Sequence, residues 1–122
     1  MKREEVRILI VEDDADAATV LQELLELDGY SVRVAGTASH ALEQVADFEP
    51  SCVMLDLGLP DMDGLELARQ LRRAHGSTLI LVAVTGRSGD AQRVAAETAG
   101  VDFVMVKPVD PKLLARIFPS LA

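Results

Sequence analysis

Four short β-like runs in this chain end directly in polar groups. Glu12-Asp13-Asp14 follows Val6–Val11, Asp56 follows Ser51–Leu55, Thr85-Gly86 follows Leu79–Val84, and Lys107-Pro108 follows Asp102–Val106. Taken singly, an acidic residue or a threonine after a strand commonly caps the next helix, and Asp14 or Asp16 is suited to that. Asp56 is not, because Gly58 and Pro60 trail it and it stands too early to cap a helix that begins near Asp63. A lysine at the end of a buried strand is costly without an anionic partner, so Lys107 also calls for a counter-charge. Brought together, Glu12, Asp13 and Asp56 would raise one another's pKa values, and a divalent cation is the expected counter-ion. An all-oxygen donor set without His or Cys suits Mg²⁺, or Mn²⁺, rather than zinc. Three carboxylates, one divalent ion and one lysine sum to zero charge, so such a site can accept a phosphoryl group.

Whether these groups meet depends on the elements that carry them. The runs Val6–Val11, Ser31–Ala35, Ser51–Leu55, Leu79–Val84 and Asp102–Val106 alternate with five helical patterns, which predicts a parallel sheet flanked by helices. The first, third and fourth runs are almost purely apolar and read as central strands, whereas Arg33 and Asp102 mark the second and fifth as edges. Inward stripes are expected at Ala17, Val20, Leu21, Leu24 and Leu25 before Gly29, and at Ala38, Ala41, Leu42 and Val45. A third stripe, at Leu67, Ala68 and Leu71, follows Asp63 and Glu66 in capping-box spacing. A fourth helix is expected from about Ser88 to Ala99 with Val94 and Ala95 inward and Gly100 as its stop. The fifth opens at Asp110-Pro111 and carries Leu113, Leu114 and Ile117. These elements predict a single doubly wound α/β domain, (βα)5, with strand order 2-1-3-4-5. Ligands of such sheets bind beyond the carboxyl ends of the strands, at the switch point between the first and third, and the four polar groups fall on that edge.

Composition narrows the function classes. A chain of 122 residues with net charge −8, 49% apolar and 3% aromatic residues reads as one compact acidic domain spanning residues 1–122. About two-thirds of its surface can be buried without staples. Cys52 has no partner for an internal disulfide and no signal peptide is evident, so a cytoplasmic location is expected. The longest apolar run, Leu79–Val84, is far shorter than the roughly 20 residues needed to cross a bilayer, so no membrane association is expected. The acidic excess also argues against direct contact with nucleic acid.

The pattern Ile-Val-Glu12-Asp13-Asp14, Asp56-Leu-Gly-Leu-Pro60-Asp-Met-Asp-Gly64, Val-Thr85-Gly and Lys107-Pro108 resembles the receiver domain of two-component response regulators over the whole chain. The intervals between these positions match as well. The resemblance implies a flavodoxin-like receiver fold that works as a signalling module, not an enzyme, in a phosphorelay. Asp56 would take a phosphoryl group from a histidine kinase or histidine phosphotransfer protein, forming an acyl phosphate that the domain itself slowly hydrolyses. Asp13, Asp56 and the Gly58 carbonyl would hold Mg²⁺, with Glu12 acting mainly through water. Thr85 would hydrogen-bond the phosphoryl oxygen and Lys107 would pair with it. A downstream protein target would bind the face formed by the fourth helix, fifth strand and fifth helix, and dimerisation is left open. Three places before Lys107, where many receivers carry Tyr or Phe, this chain has Val104, so the usual aromatic lever is missing. The Lys107 to Asp110 segment is also similar to that of receivers attached to hybrid histidine kinases.

Other readings meet specific obstacles. An aspartate-nucleophile phosphohydrolase needs a second Asp two residues after Asp56, where Gly58 stands. A flavodoxin-like mononucleotide binder wants a Ser/Thr/Gly-rich phosphate loop after the first strand, where Glu12-Asp13-Asp14 would repel phosphate. An unphosphorylated interaction module would have no need of Asp56, Thr85 and Lys107 together. His40 and His75 read as solvated, Cys52, Met54 and Met105 as core, and Arg69, Arg72 and Arg73 as a solvated helix face. Arg87, two residues past Thr85, is kept open as a residue whose side chain could reach over the phosphoryl site and slow or favour attack by water.

Overall fold

The computed structural model describes residues 5–59, 61–86 and 89–117. Strands and helices alternate as β1 (Arg7–Val11), α1 (Ala15–Leu27), β2 (Ser31–Ala35), α2 (Ala38–Phe48), β3 (Cys52–Asp56), α3 (Gly64–His75), β4 (Ile80–Thr85), α4 (Asp90–Thr98), β5 (Phe103–Val106) and α5 (Pro111–Ile117). All pairings are parallel, and the order is β2-β1-β3-β4-β5, as the edge residues and the crossover rule anticipate. Arg33 on edge strand β2 reaches outward, pairing with Asp47 at 2.8 Å and lying over the Phe48 ring.

Side-chain alternation along the strands divides the core in two. Ile8, Ile10, Met54 and Val82 point toward α1 and α5, where Leu25 and Leu114 meet them. Leu9, Val53, Leu55, Leu81 and Ala83 point toward α2, α3 and α4, where Ala41, Leu67, Leu71, Ala96 and Ala99 complete the layer. Caps set the helix starts: the Asp14 carboxylate accepts from Asp16 N and Ala17 N, and Asp63 accepts from Leu65 N. Asp14, not Asp16, is therefore the cap of α1. Glu66 pairs with Arg69 at 3.1 Å and Arg73 at 3.5 Å.

Four inward stripes are narrower than the sequence predicts. On α1 only Ala18 and Leu25 are buried, while Val20 and Leu24 are exposed and line a cleft along α1. On α4 and its C-cap the buried residues are Ala96 and Ala99, and Val94 is 60% exposed, lying off the helical row that runs through Ala95, Ala96 and Ala99. Leu42 and Leu113 also face outward, at the rims of α2 and α5.

Arg72 is a further correction. It does not belong to a solvated face: its guanidinium donates to the carbonyls of Gly76, Leu79 and Gly100 and pairs with Asp102 at 2.7 Å. The Asp102 Oδ2 also accepts from Leu81 N at 2.8 Å, so one ion pair ties α3, β4 and the α4–β5 turn together. Gly100 allows it, since with φ 97° it ends α4 and a Cβ there would lie 2.9 Å from Arg72 Cγ. Arg72→Ala is expected to lower stability by about 2–3 kcal/mol in urea unfolding, because it strands several carbonyls and a carboxylate. Arg69→Ala, which removes only exposed pairs, should cost no more than about 0.5 kcal/mol.

Candidate functional site

The parallel register brings the polar strand ends to one edge. Asp56 is the last residue of β3 and pairs with Val84, one place before Thr85, which in turn pairs with Val106, one place before Lys107. On the other side Val11 pairs with Leu55, so Glu12 stands beside Asp56. Alternation gives Glu12, Asp56 and Lys107 the face of Ile10, Met54 and Met105, toward α1 and α5. Thr85 has the parity of Leu81 and Ala83 and belongs to the α3/α4 side.

Glu12, Asp56 and Thr85 are 9%, 8% and 5% exposed, while Asp13 lies open to solvent. Lys107 Nζ donates to Asp56 Oδ2 at 2.9 Å and to Glu12 Oε2 at 3.3 Å. Its side chain is 39% exposed, so the lysine is not buried as its strand position suggests; edge strand β5 leaves the stem in water while the ammonium turns inward. The remaining oxygens meet backbone donors, Gly58 N to Asp56 Oδ1 at 2.9 Å and Asp14 N to Glu12 Oε1 at 3.2 Å. Gly64 makes this turn possible, because a Cβ there would stand 2.6 Å from both Asp56 O and Leu57 Cα. Among the described residues, Glu12, Asp13 and Asp56 are the carboxylates that converge, each with an oxygen within 4.8 Å of the others. That all-oxygen set fits a hard divalent cation.

The two buried carboxylates do not respond alike. Burial and the shared hydrogen bond with Asp56 push Glu12 above the ordinary carboxylate range. Burial would also raise Asp56, but the Gly58 N–H, Lys107 and Glu12 outweigh it and hold Asp56 below its usual value. Burial works against the Lys107 ammonium, yet Asp56 and Glu12 keep its pKa raised. The mutual raising expected of the carboxylates is therefore confined, within this pair, to Glu12, because the Gly58 N–H bonds Asp56 and Lys107 sits closer to it.

Metal-free stability should reflect both signs. Asp56, depressed in the fold, stabilises fully above the ordinary Asp pKa, and that contribution is lost as pH falls through the folded value. Glu12, raised in the fold, costs stability as pH climbs from its ordinary value through the folded one. The stability difference between wild type and Asp56→Asn should accordingly shrink on acidification, read by urea unfolding at stepped pH. Adding Mg²⁺ at a hundredfold excess over its dissociation constant should add about 2.7 kcal/mol at neutral pH. A melting temperature indifferent to Mg²⁺ would count against the carboxylates as ligands.

A cleft of about 570 Å³ opens beside the carboxylates, walled by Ala17, Val20, Leu21 and Leu24 of α1 and by Pro108 and Val109. Its floor is Ile10, Met54 and Val84, and Glu12, Asp56 and Lys107 line it too. Arg87 and Pro60 lie outside the described residues. His40 and His75 are exposed, and Cys52 is fully buried in β3, where burial pushes its thiol pKa up and leaves it unreactive. Sequence reasoning passed over Asp61, whose carboxylate reaches the N-terminus of α2 at Ala38 N and Ser39 N. Its partners lie more than 20 residues earlier, so no local spacing could reveal it.

Comparison with known proteins agrees with this geometry. A family model described as the response regulator receiver domain matches residues 8–118. Response regulator MprA of Mycobacterium leprae (strain TN) is 42% identical over 113 residues, 92% of this chain and 49% of the relative. MprA of Mycobacterium sp. (strain KMS) is 41% identical, with the same coverage. The chain thus spans about half the length of these relatives. Among solved structures, the CheY-like response regulator receiver domain protein of Methanospirillum hungatei JF-1 superposes with a TM-score of 0.86 at 33% identity, covering 95% of this chain and 93% of that one. The BeF3-activated N-terminal receiver domain of Klebsiella pneumoniae RstA gives 0.84 at 30% identity, covering 91% and 94%.

Proposed function

The chain belongs to the response regulator receiver domain family, and from that premise we propose that Asp56 accepts a phosphoryl group from the phosphohistidine of a histidine kinase or histidine phosphotransfer protein. The observation that carries this reading is the Lys107 ammonium held 2.9 Å from an Asp56 carboxylate that ends a central strand and caps no helix. An Asp56 oxygen supplies the electron pair for the new O–P bond while the P–N bond to the donor imidazole breaks, the imidazole leaving with that pair and taking up a proton. Asp56 is kept ionised for the attack by the Gly58 N–H and Lys107. Asp13, Asp56 and the Gly58 carbonyl would hold Mg²⁺, with Glu12 acting through water, and the ion would supply charge neutralisation of the phosphoryl oxygens. Lys107 pairs with the transferred group, and positioning plus charge balance does the rest. The α1 cleft leaves the approach to Asp56 open to the donor.

The direct test is incubation with acetyl phosphate, with and without Mg²⁺, followed by intact mass. A gain of one phosphoryl group that requires Mg²⁺ supports the reading, and the absence of any gain overturns it.

Output is expected through Thr85. Its place on the α3/α4 side of the sheet puts it on the side of the core layer that Ala83, Leu81 and, from α4, Ala96 belong to, and the family resemblance gives its hydroxyl the phosphoryl oxygen as partner. Val104 is half-buried against the same layer and, being stiff at χ1 and short, has no second position to swing into. Coupling is therefore assigned to a backbone shift in the segment from Thr85 to α4, of which residues 87 and 88 lie outside the described residues, and in α4 itself. Thr85→Ala should keep some phosphoryl uptake yet lose most of the beryllofluoride-induced gain in partner affinity. Val104→Ala should leave that gain within a few-fold of wild type, and the reverse pattern would refute this route.

A further inference from the structure

We propose that Asp61 is a positioning residue of the phosphoacceptor site: by bridging the β3–α3 loop to the N-terminus of α2, it holds the Gly58 backbone in register for the divalent ion. The inference rests on the metal reading above and extends it to a residue outside the carboxylate cluster.

The first turn of α2 divides its N–H groups between two caps. Thr37 Oγ1 accepts from His40 N at 3.1 Å. Asp61 takes the two donors that Thr37 leaves, Ala38 N at 2.8 Å and Ser39 N at 3.2 Å, and Ser39 Oγ adds a third bond at 3.2 Å. A carboxylate at this end also complements the helix dipole. These N–H donors, Ala38 first, hold the Asp61 carboxyl below the ordinary range.

For α2, Asp61 is a borrowed cap from the loop after the phosphoacceptor. For the loop, it is an anchor. Of the described residues in this loop, 57–59 and 61–63, the base is fixed where Gly58 N bonds Asp56 Oδ1, Leu57 N bonds Val84 O at 3.2 Å and Gly64 N bonds Leu57 O at 3.3 Å. Leu59 is buried against the α2/α3 half of the core. Gly58 is exposed and has no side chain to hold it. Its carbonyl direction therefore depends on where the loop tip is tied, and Asp61 ties it to the helix that follows β2. Because Glu12 N bonds Ala35 O at 3.0 Å, two residues before that helix's own cap, the anchor shares a frame with the Glu12-Asp13 side of the metal site.

Mg²⁺ binding measured directly, by calorimetric titration of the whole chain, separates a positioning role from a merely structural one. Asp61→Ala should weaken Mg²⁺ affinity by about five- to tenfold, in the lower part of the range seen when outer groups that orient metal ligands are lost. Thr37→Ala removes the other cap of the same helix and so lowers helix stability comparably, yet should leave Mg²⁺ affinity within about twofold. Asp61→Asn keeps the side-chain shape and one acceptor oxygen, and should fall between wild type and Asp61→Ala. Amide exchange at Gly58 should quicken in Asp61→Ala and not in Thr37→Ala. Unchanged Mg²⁺ affinity in Asp61→Ala, or an equal loss in Thr37→Ala, overturns the proposal while leaving the metal reading intact. A wild-type chain that binds no Mg²⁺ overturns both.

Discussion

Asp56→Asn is expected to abolish Mg²⁺-dependent labelling by acetyl phosphate completely, while the variant remains folded. The neutral amide oxygen is too poor a nucleophile to displace the donor from phosphorus, so the O–P bond does not form. The local frame survives, because an Asn oxygen can still accept the Gly58 N–H now bonded to Asp56 Oδ1 at 2.9 Å, and the buried volume hardly changes. The loss should therefore appear in intact mass with the far-UV spectrum unaltered. No other described carboxylate stands at the end of a central strand within reach of Lys107 except Glu12, whose two oxygens are engaged by Asp14 N and Lys107 Nζ. Labelling of the Asn variant at the wild-type level would sink the assignment, and labelling transferred to Glu12 would be located by peptide mapping.

Asp13→Ala and Glu12→Ala should separate by the severity of their metal defects. Asp13 is exposed and free to turn its carboxylate to a cation, whereas Glu12 is buried with its two oxygens engaged by Asp14 N and Lys107 Nζ. Loss of Asp13 removes a direct ligand, and half-saturation by Mg²⁺ should rise by more than about a hundredfold, beyond the range for water-mediated partners. Loss of Glu12 should cost about tenfold, since it removes an outer contact and also the repulsion with Asp56. A Mg²⁺ titration of labelling decides the order, and reversed severities would make Glu12 the direct ligand.

The periodicity of the chain determined the architecture. Apolar runs ending in Glu12, Asp56, Thr85 and Lys107, alternating with helical stripes, suffice for a five-stranded parallel sheet, and Arg33 and Asp102 suffice to place the edges. The convergence of Glu12, Asp13, Asp56 and Lys107 was legible for the same reason, since a parallel sheet carries every strand's carboxyl end to one edge whatever the loops do. Tertiary structure decided what depends on contacts distant in sequence. Arg72 reads as one of three helix-surface arginines until the α4–β5 turn comes within reach of it, and Asp61 reads as a loop residue until α2 presents two unpaired N–H groups. Val94 reads as core until the phase of α4 against β4 and β5 turns it outward. The split between a raised Glu12 and a lowered Asp56 was likewise beyond the sequence, because it turns on which oxygen the Lys107 ammonium approaches more closely, 2.9 Å against 3.3 Å, and on a backbone N–H that only the folded Gly58 turn supplies.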